Sequence, residues 1–152
     1  MKNIALTVFT TGFLLALNSC CTKKGCHNTD EIYDINFYNF SEADLDSITI
    51  VGYSKDSNFT TKIDSLFTYA SVNGSNSNRF TVFIDDKINA NLDYKIKLLS
   101  IGQVFTLTDF EIKREGCNSC FPLGTKTDFY NKLNSYQVNG KKQTEWEINI
   151  YK

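Results

Sequence analysis

Leu92-Asp93-Tyr94-Lys95-Ile96-Lys97-Leu98 is the stretch that decides the fold class. Apolar and charged residues alternate across it without a break. Side chains of a strand point to opposite faces in turn, so a period of two describes a strand with one dry face and one wet face. A helix would instead need its apolar residues three and four apart. Leu92, Tyr94, Ile96 and Leu98 therefore read as inward, and Asp93, Lys95 and Lys97 as outward.

The same period recurs on both sides. Phe80, Val82 and Ile84 share one face, with Thr81 and Asp85 on the other and Phe83 on a partly covered outer face. Ile48 and Ile50 alternate with Ser47 and Thr49, and Tyr33, Ile35 and Phe37 with Asp34 and Asn36. Residues 63–72, with Leu66, Phe67, Tyr69 and Val72, form a further strand of open register. Beyond Leu98, Phe105 and Leu107 have one parity and Phe110 and Ile112 the other. One extra residue flips a strand's face, so a bulge is expected at Thr108-Asp109. Trp146, Ile148 and Ile150 alternate with Glu145, Glu147 and Asn149 in a last strand, and the first three read as core. Ser100-Ile101-Gly102-Gln103 and Asn139-Gly140 are hairpin turns, the latter a dipeptide suited to left-handed backbone. Residues 128–133 read as one helical turn capped by Asp128, with Phe129 and Leu133 four apart.

Seven or eight strands, no long helix and no internal repeat predict an all-β fold. The expected architecture is an antiparallel β-sandwich, immunoglobulin-like or transthyretin-like in general shape, with a closed β-barrel as the alternative. Twelve Phe, eight Tyr and a single Pro agree with pleated sheets.

The first twenty residues carry a different message. Lys2 is followed by an uncharged run over residues 4–17, too short for the ~20 residues that span a bilayer. It ends in Leu17-Asn18-Ser19-Cys20. This segment resembles the signal peptide and lipobox of bacterial lipoproteins, and the resemblance covers only this end of the chain. It implies that residues 1–19 are removed and that Cys20 is acylated, anchoring the protein in a membrane. Cys21, rather than Asp, follows the lipidated position, which implies outer-membrane sorting in a cell that has an outer membrane. Residues 20–31 then form a polar tether and 32–152 the sandwich domain. The mature chain has 15 basic residues, once Lys2 is gone, against 17 acidic ones. That balance gives no electrostatic case for nucleic acid.

With Cys20 acylated, Cys21, Cys26, Cys117 and Cys120 remain. Export to an oxidising compartment favours disulfides among them. A bond from Cys26 to Cys117 or Cys120 closes a long loop and restricts the unfolded chain far more than one within Cys117–Cys120. The last thiol then pairs with Cys21 or stays free. Two sharper chemistries compete. Cys117-Asn118-Ser119-Cys120 has the spacing of a redox pair but lacks the helix N-terminus that lowers a thiolate pKa. Cys26, His27, Cys117 and Cys120 have the donors of a zinc site, with adjacent Cys26 and His27 awkward as co-ligands.

The catalytic inventory is poor. His27 is the only His, beside Cys26 in a polar stretch, so a solvated role is expected. Carboxylates at Asp30, Glu31, Asp34, Glu42, Asp44, Asp46, Asp85 and Asp86 offer no spacing that selects a hydrolytic pair. Outward aromatics such as Tyr38, Tyr53 and Tyr69 suit either stacking on a sugar or partner, or burial under a second sheet. The expectation is a lipid-anchored, non-enzymatic envelope protein that binds a partner protein or glycan and holds no cofactor. The alternative is an envelope enzyme, thiol-redox through Cys117 and Cys120 or a carboxylate hydrolase.

Overall fold

The computed structural model describes residues 21–22, 26–68, 78–117, 119–120, 125–126 and 128–152. The signal segment 1–19, Cys20 and Tyr69 lie outside them. The strands are β1 (Cys21–Thr22), β2 (Glu31–Tyr38), β3 (Ile48–Ser54), β4 (Lys62–Thr68), β5 (Arg79–Asn89), β6 (Leu92–Leu98), β7 (Gln103–Gly116), β8 (Ser119–Cys120), β9 (Thr125–Lys126), β10 (Phe129–Val138), β11 (Lys141–Gln143) and β12 (Ile148–Tyr151).

The described residues among 28–113 and 131–152 form one compact unit. It is a sandwich of a six-stranded sheet, in the order β11-β10-β7-β6-β3-β4, and a three-stranded sheet, β12-β2-β5. Each sheet keeps two edge strands, so the fold is a sandwich and not a closed barrel. The alternation of β6 is obeyed: Tyr94, Ile96 and Leu98 are buried and Lys97 is exposed. Ile48 and Ile50 from β3, with Phe105, Leu107 and Phe110 from β7, line the same core face. Ile35 and Phe37 from β2, Val82 from β5, and Ile148 and Ile150 from β12 meet them from the other sheet. The expected break in β7 is present, since Asp109 has φ 52 and the buried set changes parity from Phe105 and Leu107 to Phe110. Asp tolerates this left-handed conformation better than most residues. The two hairpin turns carry their positive-φ residues at Gly102 (φ 66), Asn139 (φ 51) and Gly140 (φ 75).

Gly52 of β3 lies directly across from Tyr94. A Cβ there would stand 3.1 Å from the Tyr94 ring. The ring cannot easily yield, because its hydroxyl donates to the Asn89 carbonyl (3.2 Å) and accepts from the Asn89 N–H (2.7 Å).

Four expectations are corrected. β12 runs parallel to β2, with Ile148 opposite Ile35 and Ile150 opposite Phe37, whereas an all-antiparallel arrangement was expected. Alternation reports which face a residue takes and carries no strand direction. Residues 129–133 are strand, not a helical turn. Phe129 is exposed and Leu133 buried; residues four apart share a face in a strand as well as on a helix, so the spacing did not separate the two. Trp146 is 62% exposed because β12 begins only at Ile148, and parity means nothing before the strand starts. Tyr33 is 54% exposed, because the register of β2 on β5 shifts between Ile32 and Asp34 and turns it outward. Phe83 is exposed, as the outer-face reading had it.

The described residues among 1–27 and 114–130 form a second compact unit. Its described part holds the small antiparallel sheet β1-β8-β9 and a disulfide between Cys26 and Cys117, with Cα atoms 5.7 Å apart. The Cys117 N–H donates to the Asp128 carbonyl (3.0 Å), the Tyr130 hydroxyl to Glu115 (3.2 Å), and Arg114 lies over the Phe129 ring at 4.7 Å.

Candidate functional site

The two misplaced aromatics come together. Trp146 and Tyr33 line a shallow groove of ≈ 170 Å³ with Asn28, Thr29, Glu31, Ile32, Asp34 and Glu147. Two aromatic rings stand exposed there, flanked by three carboxylates and an amide. A buried polar residue or an exposed aromatic carries more information than an exposed aliphatic one.

The groove is supported from beneath. Tyr136 of β10 is fully buried and reaches across to the lead-in of β12. Its hydroxyl donates to the Glu147 carbonyl and accepts from the Asn149 N–H, both at 2.8 Å. Burial pushes this phenol up to about 12, so it remains a neutral donor. Glu147 is fixed at its side chain as well: Oε2 accepts from Asn36 Nδ2 (2.9 Å) and Arg79 Nη2 (3.2 Å). Arg79 also donates through Nε and Nη2 to Asn36 Oδ1 (3.1 and 2.9 Å), and Thr81 donates to the same oxygen at 2.9 Å. Asn36 Nδ2 bonds Asn149 Oδ1 (3.1 Å), and Asn149 Nδ2 bonds Glu145. Asn36 and Asn149 point away from the core yet are buried under this network. A fully satisfied polar network in a low-dielectric setting fixes its members' geometry.

The other wall is fixed by residues 28–31. Thr29 N donates to the Asn131 carbonyl (2.9 Å) and Thr29 Oγ1 accepts from Leu133 N (2.8 Å). Asn28 Oδ1 accepts from Asn131 N at 2.9 Å. Glu31 accepts from Lys87 (2.5 Å) and from the Tyr33 hydroxyl (3.1 Å). The Lys87 bond, with that of Tyr33, holds the Glu31 carboxyl below its usual range, so it is ionised at neutral pH. The groove thus presents two aromatic rings beside carboxylates whose positions are fixed by bonds within the protein.

No protein-family model, characterised protein or solved structure matches this chain.

A second polar cleft, ≈ 270 Å³, lies on the outer face of the six-stranded sheet between Lys55, Asp109, Glu111 and Lys142. Glu111 is held low by bonds from Ser135 (2.5 Å), Asn134 (3.2 Å) and Lys142 (3.4 Å). Asp93, on the wet face of β6, is covered by the β3–β4 loop and accepts from the Asp56 N–H at 3.0 Å. Burial raises its pKa, and the Asp56 and Asp109 charges add to the rise. In the same loop Asp56, Asn58 and Phe59 have φ of 60, 48 and 59. Phe59 is clamped between Tyr53, 5.4 Å away edge-on, and Lys95, whose Nζ stands 4.5 Å from its ring. Tyr53 is therefore occupied by its own loop, and Tyr38 by Tyr151, stacked at 4.8 Å.

Of the cysteines, Cys26 is bonded to Cys117, which separates Cys117 from Cys120 as a redox pair and uses two of the four donors of the imagined zinc site. His27 is exposed. Strand β1 places Cys21 opposite Cys120 on β8. Sequence reasoning missed Trp146 and Tyr33 as surface groups. The usable signal was weak: each sits at the margin of its alternating run, where a bend or bulge can rotate it outward.

Proposed function

We propose that this is a lipid-anchored bacterial envelope protein whose sandwich binds a saccharide in the Trp146–Tyr33 groove, without catalysis. The observation that carries the binding half is the pair of exposed rings beside fixed carboxylates. Sugar rings offer C–H faces that pack on aromatic rings and hydroxyls that donate to carboxylates, so a small, mixed groove of this kind suits them. Support for the anchoring half is the Leu17-Asn18-Ser19-Cys20 segment. A thiol-redox role is disfavoured by the commitment of Cys117 to Cys26. A hydrolase acting in this groove would need a carboxyl with a raised pKa as its acid; Glu31 is shifted the other way, and the raised carboxyl of Asp93 lies under the β3–β4 loop, outside the groove.

Two measurements test the proposal. Mature protein is applied to an array of neutral and N-acetylated oligosaccharides, in parallel with Trp146→Ala. Binding that the variant loses is expected; no binding, or equal binding by both, overturns the saccharide reading. Labelled fatty acid is then followed in cells expressing the chain and Cys20→Ser. Label and membrane retention are expected only for the unaltered chain.

A further inference from the structure

We infer that Cys21 and Cys120 form a second disulfide, one residue from the proposed lipid attachment at Cys20. The backbone carries the argument. Strand β1 pairs antiparallel with β8, placing Cys21 directly opposite Cys120 and Thr22 opposite Ser119. Residues opposed in an antiparallel ladder have Cα atoms ~4.5–5.5 Å apart. A disulfide needs ~4.4–6.8 Å between its Cα atoms.

The first disulfide points the same way. Cys26 and Cys117 lie on the same two segments, with Cα atoms 5.7 Å apart. Moving back from Cys26 to Cys21 corresponds to moving on from Cys117 to Cys120, which is the antiparallel sense that β1 and β8 show. Once Cys26 and Cys117 are joined, the second pair is tethered by a few residues on each side, and its effective concentration is high.

The chemistry closes on itself. Two thiols lose two protons and two electrons to form one S–S bond. A disulfide-bearing oxidant of the exporting compartment takes them, through a mixed disulfide, and leaves as a dithiol. This accounting uses the proposed export and acylation: with Cys20 alkylated, the other four cysteines make two bonds and no thiol is left over. The mature N-terminus is then held to β8 beside the lipid, rather than lying at the free end of a tether.

Tryptic mapping of the mature protein from the envelope, alkylated without reduction, tests this. Cleavage follows Lys23, Lys24, Lys55, Arg114 and Lys126. With both bonds in place, fragments 20–23, 25–55 and 115–126 travel as one cluster that reduction splits into three. In Cys21→Ser, fragments 25–55 and 115–126 stay joined while Cys120 becomes alkylated in every molecule. Alkylated Cys21 and Cys120 in the unaltered protein, with 25–55 still joined to 115–126, overturn the inference and leave the export reading standing. All four cysteines alkylated overturns both. The mass of fragment 20–23 reports acylation separately, so an intact cluster without lipid upholds the second disulfide and removes only the anchor.

Discussion

Tyr136→Phe is the sharpest test of how the groove is held. The substitution keeps the ring, which stacks on Phe110 with centroids 6.3 Å apart, and deletes only the hydroxyl. That oxygen makes two bonds of 2.8 Å, to the Glu147 carbonyl and from the Asn149 N–H. Asn149 is buried, so its N–H loses its partner with no water to replace it. An orphaned buried donor costs about 1–3 kcal/mol, and the carbonyl, which keeps a second lone pair, adds about a third of that, giving about 1–4 kcal/mol in all. At a urea slope of about 2 kcal/mol per molar, the unfolding midpoint falls by roughly 0.5–2 M. Circular dichroism reads the global transition. Trp146 is the only Trp in the chain, so intrinsic fluorescence reads the groove itself. Its emission should change in the folded variant before any unfolding, because residue 147 loses its anchor. The matched control is Tyr33→Phe, which removes an exposed hydroxyl and should cost under ~0.5 kcal/mol. A loss below about 0.5 kcal/mol at Tyr136 would refute the reasoning.

Further outcomes follow from the same geometry. Ile96→Ala, fully buried in the core, should cost ~2–5 kcal/mol in urea unfolding, and Lys97→Ala on the opposite face under ~0.5 kcal/mol; equal losses would overturn the face assignment. Trp146→Ala should leave the unfolding midpoint within experimental scatter, and acrylamide should quench Trp146 readily in the folded protein. Asp44 is held down to about 2, first by the Lys152 ammonium at 2.7 Å and then by the Ser41 N–H at 2.8 Å. A depressed carboxyl stabilises the fold above its unfolded pKa, near 3.8, so this contribution is complete at neutral pH and is lost as pH falls from about 4 through about 2. Urea midpoints measured down that range should fall less steeply for Asp44→Asn than for the unaltered protein. Replacing Cys26 and Cys117 together by Ser should cost ~4–5 kcal/mol if theirs is the only bond across that loop, but under ~1 kcal/mol if Cys21–Cys120 still closes it.

The legible part of the fold was the part set by local periodicity. β6 keeps its alternation of faces because both its neighbours, β3 and β7, pair with it in register, so nothing disturbs the pleat; the burial of Asp93 comes from the β3–β4 loop folded over the outer face, which the pattern of β6 does not report. The bulge in β7 was legible because its two halves, Phe105-Leu107 and Phe110, keep opposite parities. Tyr33 and Trp146 were read inward because a shift within β2 and a late start to β12 are decided by the partner strands, which lie far away in sequence. For the same reason the groove they build had no signature in either segment alone. Asn36 and Asn149 were unreadable as buried, since what covers them is an Arg and a Glu from other elements. The choice of Cys117 over Cys120 as the partner of Cys26 depends on the register of β1 and β8, two residues long each, which no periodicity reveals.

The parallel pairing of β12 with β2 has a kinetic consequence. Ile148 sits opposite Ile35, so the edge of the three-stranded sheet joins positions 113 apart in the chain. Contacts of such separation are formed late and slowly, because the entropy of closing the intervening chain is lost before the contact returns anything. The inner side of β12, through Ile148 and Ile150, belongs to the core, so the core remains open until that strand has been delivered. A chain fed through a membrane from its N-terminal end would pass almost entirely across before its sandwich could close. Its own topology would keep it threadable.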